Sequence, residues 1–260
     1  MNIKINYIHM KKRVLLISIL FLWCYNLFAQ EQLNRIGQTP GGAAHHVNWI
    51  EDQQKLIVGC GASLWVYDMS DIENPQVIAK RAFTQLINET DLYGNVLFAA
   101  AENSGLYALD FSCSDLSIID VYRPMIFSTP STPQDVFDFV RRNDTLFVPV
   151  KFDNHASLRI LQFTEANSFN EIGVKKIGLG FPNPARNGAR CIAVNDRFIV
   201  IGRQASDGEL ILLDRQTYDE IDNHSDSLIN NIQKLRFSDL SDDVFLFVVV
   251  QLMQVLHHIS

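Results

Sequence analysis

The residues of this chain that could do chemistry together are His45, His46, Glu89, Asp135 or its neighbour Asp138, and Arg190. They lie far apart in sequence, so only a fold that returns the chain repeatedly to one axis can gather them. Gathered there, they would form a polar ring suited to a small anion, a sugar or a metal ion. Catalysis would ask for more, namely two carboxylates or a His–carboxylate pair converging within a few ångströms on a substrate. Glu89 with Asp135 is the pair that could serve a glycan hydrolase or lyase. His45 and His46 are adjacent, so on a regular strand they leave opposite faces and cannot chelate one ion from one side; His257 and His258 share that weakness. The sequence contains no Gly-x-Ser-x-Gly, His-Glu-x-x-His or phosphate-loop pattern. Gly59-Cys60-Gly61 lacks the following helix of a dinucleotide turn. Asp153-Asn154-His155 and Asp207-Gly208-Glu209 lack the spaced oxygens and terminal Glu of a calcium loop. The expectation is a ligand-binding ring with no catalytic residue, no metal and no cofactor.

The elements that must position these residues are short strands. In the segment from Asn88 to Ser112, Thr90-Asp91-Leu92-Tyr93 leads into Gly94-Asn95, a pair that tolerates positive φ. Leu97 to Ala101 is an apolar run of strand length, Glu102 to Gly105 a second turn, and Leu106 to Leu109 another strand closed by Asp110. Runs this short, bounded by Gly, Asn and Ser, are strands and not helices.

The pattern repeats. The second strand of each unit begins at Leu56, Leu97, Leu146, Phe198 and Phe245, a period of roughly 40–50 residues. A turn precedes each, and a third apolar run follows: Leu64 to Tyr67, Leu106 to Leu109, Leu158 to Leu161, Leu210 to Leu213 and Leu252 to Val255. Fourth segments stand at Gln76–Ala79, Leu116–Ile119, Glu171–Val174 and Tyr218–Ile221. Four strands per unit, repeated, predict an all-β propeller of four to five blades, because one such sheet cannot bury both of its faces alone. The blades are placed at approximately 43–83, 84–123, 133–178 and 186–224, with a partial one at 232–260. Either Gln32 to Ile36 supplies the last blade's fourth strand and closes a ring of five, or the chain is part of a larger propeller. Asp68, Asp110 and Asp214 end the third run in three copies, where a carboxylate can accept from a backbone N–H two residues on and fix the turn. The first strand of each blade lines the channel, which is why His45, His46, Glu89, Asp135 and Arg190 are the expected ring.

Gly94-Asn95, Leu97-Phe98-Ala99-Ala100, Ser104-Gly105-Leu106 and Leu109-Asp110-Phe111-Ser112 resemble the repeats of LVIVD-type propellers of secreted bacterial proteins. Leu64-Trp65-Val66-Tyr67-Asp68, followed by Met69-Ser70-Asp71-Ile72-Glu73-Asn74-Pro75, is similar too, with Ile72 where that family usually has proline. The resemblance implies a surface or periplasmic propeller and brings no catalytic residue with it.

The N-terminus agrees with that location. Lys4, Lys11, Lys12 and Arg13 precede an apolar stretch from Val14 to Trp23, and Leu27-Phe28-Ala29 precedes Gln30. This predicts a signal peptide over residues 1–29, cleaved after Ala29, since the apolar run is shorter than the ~20 residues of a membrane span. A secreted or periplasmic protein follows, associated with the outer membrane or cell surface in one version, and with no transmembrane span after cleavage. The formal net charge of the whole chain is −7. The leader carries only basic charges, so the remainder is more acidic still, which disfavours nucleic acid as a partner. A protein or carbohydrate partner is expected instead. Cys60, Cys113 and Cys191 are too widely spaced for a disulfide framework or zinc site, and suit small buried apolar positions. One disulfide among them is left open.

Overall fold

The computed structural model describes residues 44–125, 134–152, 155–177, 188–204, 210–224, 232–237 and 246–250. All belong to the second of two compact units, Thr39–Ser260. The expected signal peptide, the Gln32–Ile36 strand, the third run at 252–255 and His257-His258 lie outside the described residues.

The described chain is built of antiparallel strands. β1 (Ala44–Ile50), β2 (Lys55–Cys60), β3 (Ser63–Asp68) and β4 (Gln76–Ala82) form the first four-stranded sheet, in sequence order. β5 (Glu89–Tyr93), β6 (Val96–Ala100), β7 (Leu106–Asp110) and β8 (Ile118–Tyr122) form the second. The third comprises β9 (Val140–Arg142), β10 (Thr145–Phe152), β11 (His155–Phe163) and β12 (Phe169–Ile177). The fourth comprises β13 (Gly188–Val194), β14 (Phe198–Gln204), β15 (Leu210–Asp214) and β16 (Glu220–His224). β17 (Ile232–Phe237) pairs with β18 (Leu246–Val250) as the described part of a fifth sheet.

The repeat extends to irregularities. The pairing of third with fourth strand slips at Val66/Tyr67, Ala108/Leu109, Ile160/Leu161 and Leu212/Leu213, the same place in all four complete sheets. In three copies an Asp follows the slip. Asp68 Oδ1 accepts from Ser70 N at 2.9 Å, Asp110 Oδ1 from Ser112 N at 2.9 Å, and Asp214 Oδ1 from Gln216 N at 2.8 Å. Backbone N–H donors hold the Asp68 and Asp214 carboxyls below the usual range, and at Asp110 the Ser112 hydroxyl does so first and the Ser112 N–H second. In the third sheet Gln162 stands there, and its amide instead donates to Asp144 Oδ2 at 2.8 Å. Two fourth strands start two residues later than expected: β8 begins at Ile118 and β16 at Glu220, after Leu116 at φ +48, whose side chain is fully buried, and Tyr218 at φ +59.

Side chains alternate between the two faces of each strand, and the apolar faces of successive sheets meet. Ile57, Leu64 and Val66 pack with Leu97, Tyr107 and Leu109 between sheets one and two. Phe98, Leu106 and Ala108 point the other way, onto Leu146, Val148 and Leu161 of sheet three. Phe147, Leu158 and Ile160 meet Ile192, Ile199 and Leu213 of sheet four. Cys191, Ala193 and Val200 meet Ile232 and Leu235 of the fifth. Leu97 and Phe98, adjacent in sequence, thus sit in different cores. Arg141 and Arg142 do the same with polar groups. Arg141 Nε reaches Asp91 Oδ2 of sheet two at 2.5 Å, while Arg142 Nη2 donates to Val194 O of sheet four. Cys60 and Cys191 occupy buried strand positions, and the Cys113 thiol donates to Asp110 Oδ2 at 3.2 Å.

Candidate functional site

The inner edge of each sheet carries the polar side chains, and in three of the sheets a bulge interrupts the strand there. β1 slips against β2 between Ala44 and His46, β13 against β14 between Ala189 and Cys191, and β17 against β18 between Ile232 and Lys234. The extra residues are His45, Arg190 and Gln233. A bulge cancels strict alternation. His45 and His46 therefore line one opening together, contrary to the opposite-face expectation for adjacent residues. Opposite His46 stands Gly59, where an added Cβ would come within 2.9 Å of Ile87 O, so the bulge and the neighbouring blade leave no room for a side chain.

At the axis the inner strands converge on Glu89. Lys234 Nζ donates to Glu89 Oε2 and also to Asp138 Oδ1, the latter at 3.2 Å. Arg236 Nη2 donates to Glu89 Oε1 at 3.2 Å. Asp138 is 2% exposed and is held by Phe139 N at 3.0 Å and by Ile192 N of the fourth sheet at 3.0 Å. Burial pushes the Asp138 carboxyl up and the Lys234 ammonium down, as expected for charges taken out of water.

His46 Nε2 accepts from the Thr90 backbone N–H at 3.2 Å and lies 2.8 Å from Thr90 Oγ1. An Nε2 that accepts places the ring proton on Nδ1, which faces Glu89 Oε2 at 3.9 Å. The ring is thereby neutral. Burial, then the charges of Lys234 and Arg236, lower its pKa to about 4.

This cluster plugs the channel and leaves an opening on each side. The starts of the inner strands line one, of about 350 Å³, with His45, His46, Asn88, Phe137, Asp138, Arg190 and Lys234. Their later residues line the other, of about 410 Å³. At the start side the Arg190 guanidinium lies over the Phe137 ring, 4.8 Å from its centroid. Among the described residues no group of three His, Cys, Asp or Glu side chains is placed to hold a metal ion.

Of the expected ring, His45, His46, Glu89 and Arg190 stand at the channel. The acidic residue that faces the opening is Asp138, three positions after Asp135, which is half-buried. Val136 explains the offset: it bridges Glu102 and Val150, so the inner edge of the third sheet is entered before β9 and the register there is not that of the other blades. The carboxylate that meets Glu89 is Asp138, and Lys234 Nζ stands between the two.

Lys234 and Arg236 are the cations that the sequence reading missed. Their signal was present, since Ile232 to Phe237 mixes apolar and basic residues shortly before the fifth second-strand run, as His46 and Glu89 precede theirs. The partial blade expected at 232–260 contains this segment, but no first strand is assigned within it.

Solved structures with a similar fold include BamB from Moraxella catarrhalis, with TM-score 0.53, 13% identity, and coverage of 79% of this chain and 61% of that one. The Myceliophteria thermophila Cps50 (Swd1) β-propeller domain is similar at TM-score 0.56 and 14% identity, over 82% of this chain and 64% of that one. The chain is a β-propeller. A chain in the Mitotic Checkpoint Complex matches at TM-score 0.58 and 14% identity, over 81% of this chain and 59% of that one. The propeller thus spans about 60% of the length of these structures. No family model matches the sequence, and no curated protein matches it. Identities this low show a shared fold alone.

Proposed function

We propose that this propeller is a binding module, secreted or at the cell surface, that takes a protein or carbohydrate group at the start-side opening of its channel. The observation that carries the reading is the presentation of Arg190 over the Phe137 ring beside His45, next to a plug in which Glu89 and Asp138 are already paired with Lys234 and Arg236. Arg190 and Lys234 face the opening, and the one carboxylate that lines it, Asp138, already accepts from Lys234, so a ligand offering acceptor oxygens is favoured. The two carboxylates hold a lysine instead of flanking an open space, which argues for binding over glycan cleavage. A similar chain sits in the Mitotic Checkpoint Complex, an assembly of proteins. Similarity to LVIVD repeats and the basic-apolar leader support a secreted, periplasmic or surface location.

The test is a screen of the exported protein on glycan and peptide arrays, repeated with His45→Ala/Arg190→Ala. Both residues are at the mouth and neither holds the plug. Loss of the wild-type ligand at an unchanged melting temperature is the expected result. Retained binding would reject the site.

A further inference from the structure

The end-side opening has a different composition. Three guanidinium groups line it, Arg141, Arg142 and Arg236, against the carboxylates Glu89 and Asp91. Asp91 is matched by Arg141 at 2.5 Å, and Glu89 by both Lys234 and Arg236. Arg142 is exposed, and among the described residues its hydrogen bond goes to the Val194 carbonyl and not to a carboxylate. Arg236 keeps 49% of its side chain exposed. Three guanidiniums against two carboxylates leave this end with a positive excess on a chain whose net charge is −7.

Beside the arginines the rim is apolar. Val47 lines the opening and is 58% exposed; Trp49, two residues on along β1 and on the same face, is 47% exposed. An apolar side chain as exposed as Val47 beside guanidinium groups, with Trp49 next on the same strand face, marks a contact surface more than a solvated one. A free inorganic anion would use the arginines and leave Val47 and Trp49 in water.

We propose that the end-side opening docks an acidic peptide segment of a partner protein, a carboxylate seated on Arg142 and Arg236 and a neighbouring apolar side chain on Val47 and Trp49. The carboxylate accepts from planar guanidinium donors, for which arginine is the suited residue. The 410 Å³ opening is of the size that takes one or two side chains and not a folded surface. The site is separate from the start-side opening, with the Glu89–Lys234 plug between them.

The experiment is calorimetric titration of the exported protein with an N-acetylated peptide alternating Glu and Leu, with inorganic phosphate as a parallel arm. Saturable binding that weakens with salt is expected, with at least a tenfold loss in Arg142→Gln and in Val47→Asp. Val47 is exposed, so its variant keeps the fold while repelling the ligand. Arg190→Gln, at the other mouth, should bind the peptide as wild type does, which keeps failure here distinct from failure of the start-side reading. No saturable binding, equal binding by Arg142→Gln, or displacement of the peptide by phosphate at equal concentration would overturn the proposal.

Discussion

At the scale of single residues, the channel is held by charges that have few alternatives. Glu89 is 7% exposed and Asp138 2%. Removing their shared cation leaves carboxylates buried without it, a change that typically costs about 3–5 kcal/mol. Lys234→Met should therefore lower stability by roughly that amount, read by urea denaturation, whereas an exposed lysine would cost under about 0.5 kcal/mol. His46 makes a second, pH-dependent prediction. Its folded-state pKa is lowered to about 4 from 6.5, so between those values the unfolded chain binds the proton first. Stability from this group is complete above pH 6.5 and is lost as pH falls through 6.5 toward 4, by about 3 kcal/mol at most. Asp138, shifted upward, contributes the opposite slope over part of that range, so the test is a difference. Melting curves of wild type and His46→Gln should converge as pH drops from 7 to 4.5. A constant gap between them would contradict a neutral, acceptor His46.

At the scale of the element, the turns are fixed by particular residues more than by composition. Gly105 takes φ +98, and a Cβ there would lie 2.3 Å from Tyr122 O, a backbone atom of β8. Gly105→Ala should lose about 1–3 kcal/mol through strain and overpacking, measured by chemical denaturation, and a neutral outcome would mean that the β6–β7 turn is not built as described. By contrast, Gly94 at φ +58 has open space around its Cβ, so Gly94→Asn should be nearly silent in the same assay. Much at this scale was legible in the sequence. Asp68, Asp110 and Asp214 cap their turns as their position predicted, and the Gly94-Asn95 loop closes a two-residue hairpin between Tyr93 and Val96. The bulges were not legible. An extra residue at His45 or Arg190 leaves the apolar pattern of the strand almost unchanged, yet it re-aims the side chains that matter most. That is why adjacent histidines were expected on opposite faces and instead share an opening.

At the scale of the whole molecule, the architecture follows from strands whose two faces are both apolar. Leu97 and Phe98 cannot both be buried by one sheet, so the second sheet must be covered on each side, and sheets one and three cover it. The period of the second-strand runs made this readable. The site was less so. First-strand position places His46, Glu89 and Arg190 at the channel, and of the two acidic candidates, Asp135 and Asp138, the irregular entry into the third sheet brings Asp138 to the opening. The fifth unit contributes Lys234 and Arg236 across the channel from residues far earlier in the chain. Export makes a separate prediction on the same scale: N-terminal sequencing of the secreted protein should begin at Gln30, and an intact Met1 would remove the leader reading.

The measurement closest to the heart of the account is a double-mutant cycle on Glu89 and Lys234, which are 145 residues apart in sequence and hydrogen-bonded across the channel. If successive sheets stack around one axis, Glu89→Gln and Lys234→Met should be non-additive, with a coupling energy above about 1.5 kcal/mol. Additivity within about 0.5 kcal/mol would mean that the two inner strands do not meet and that the channel plug does not exist.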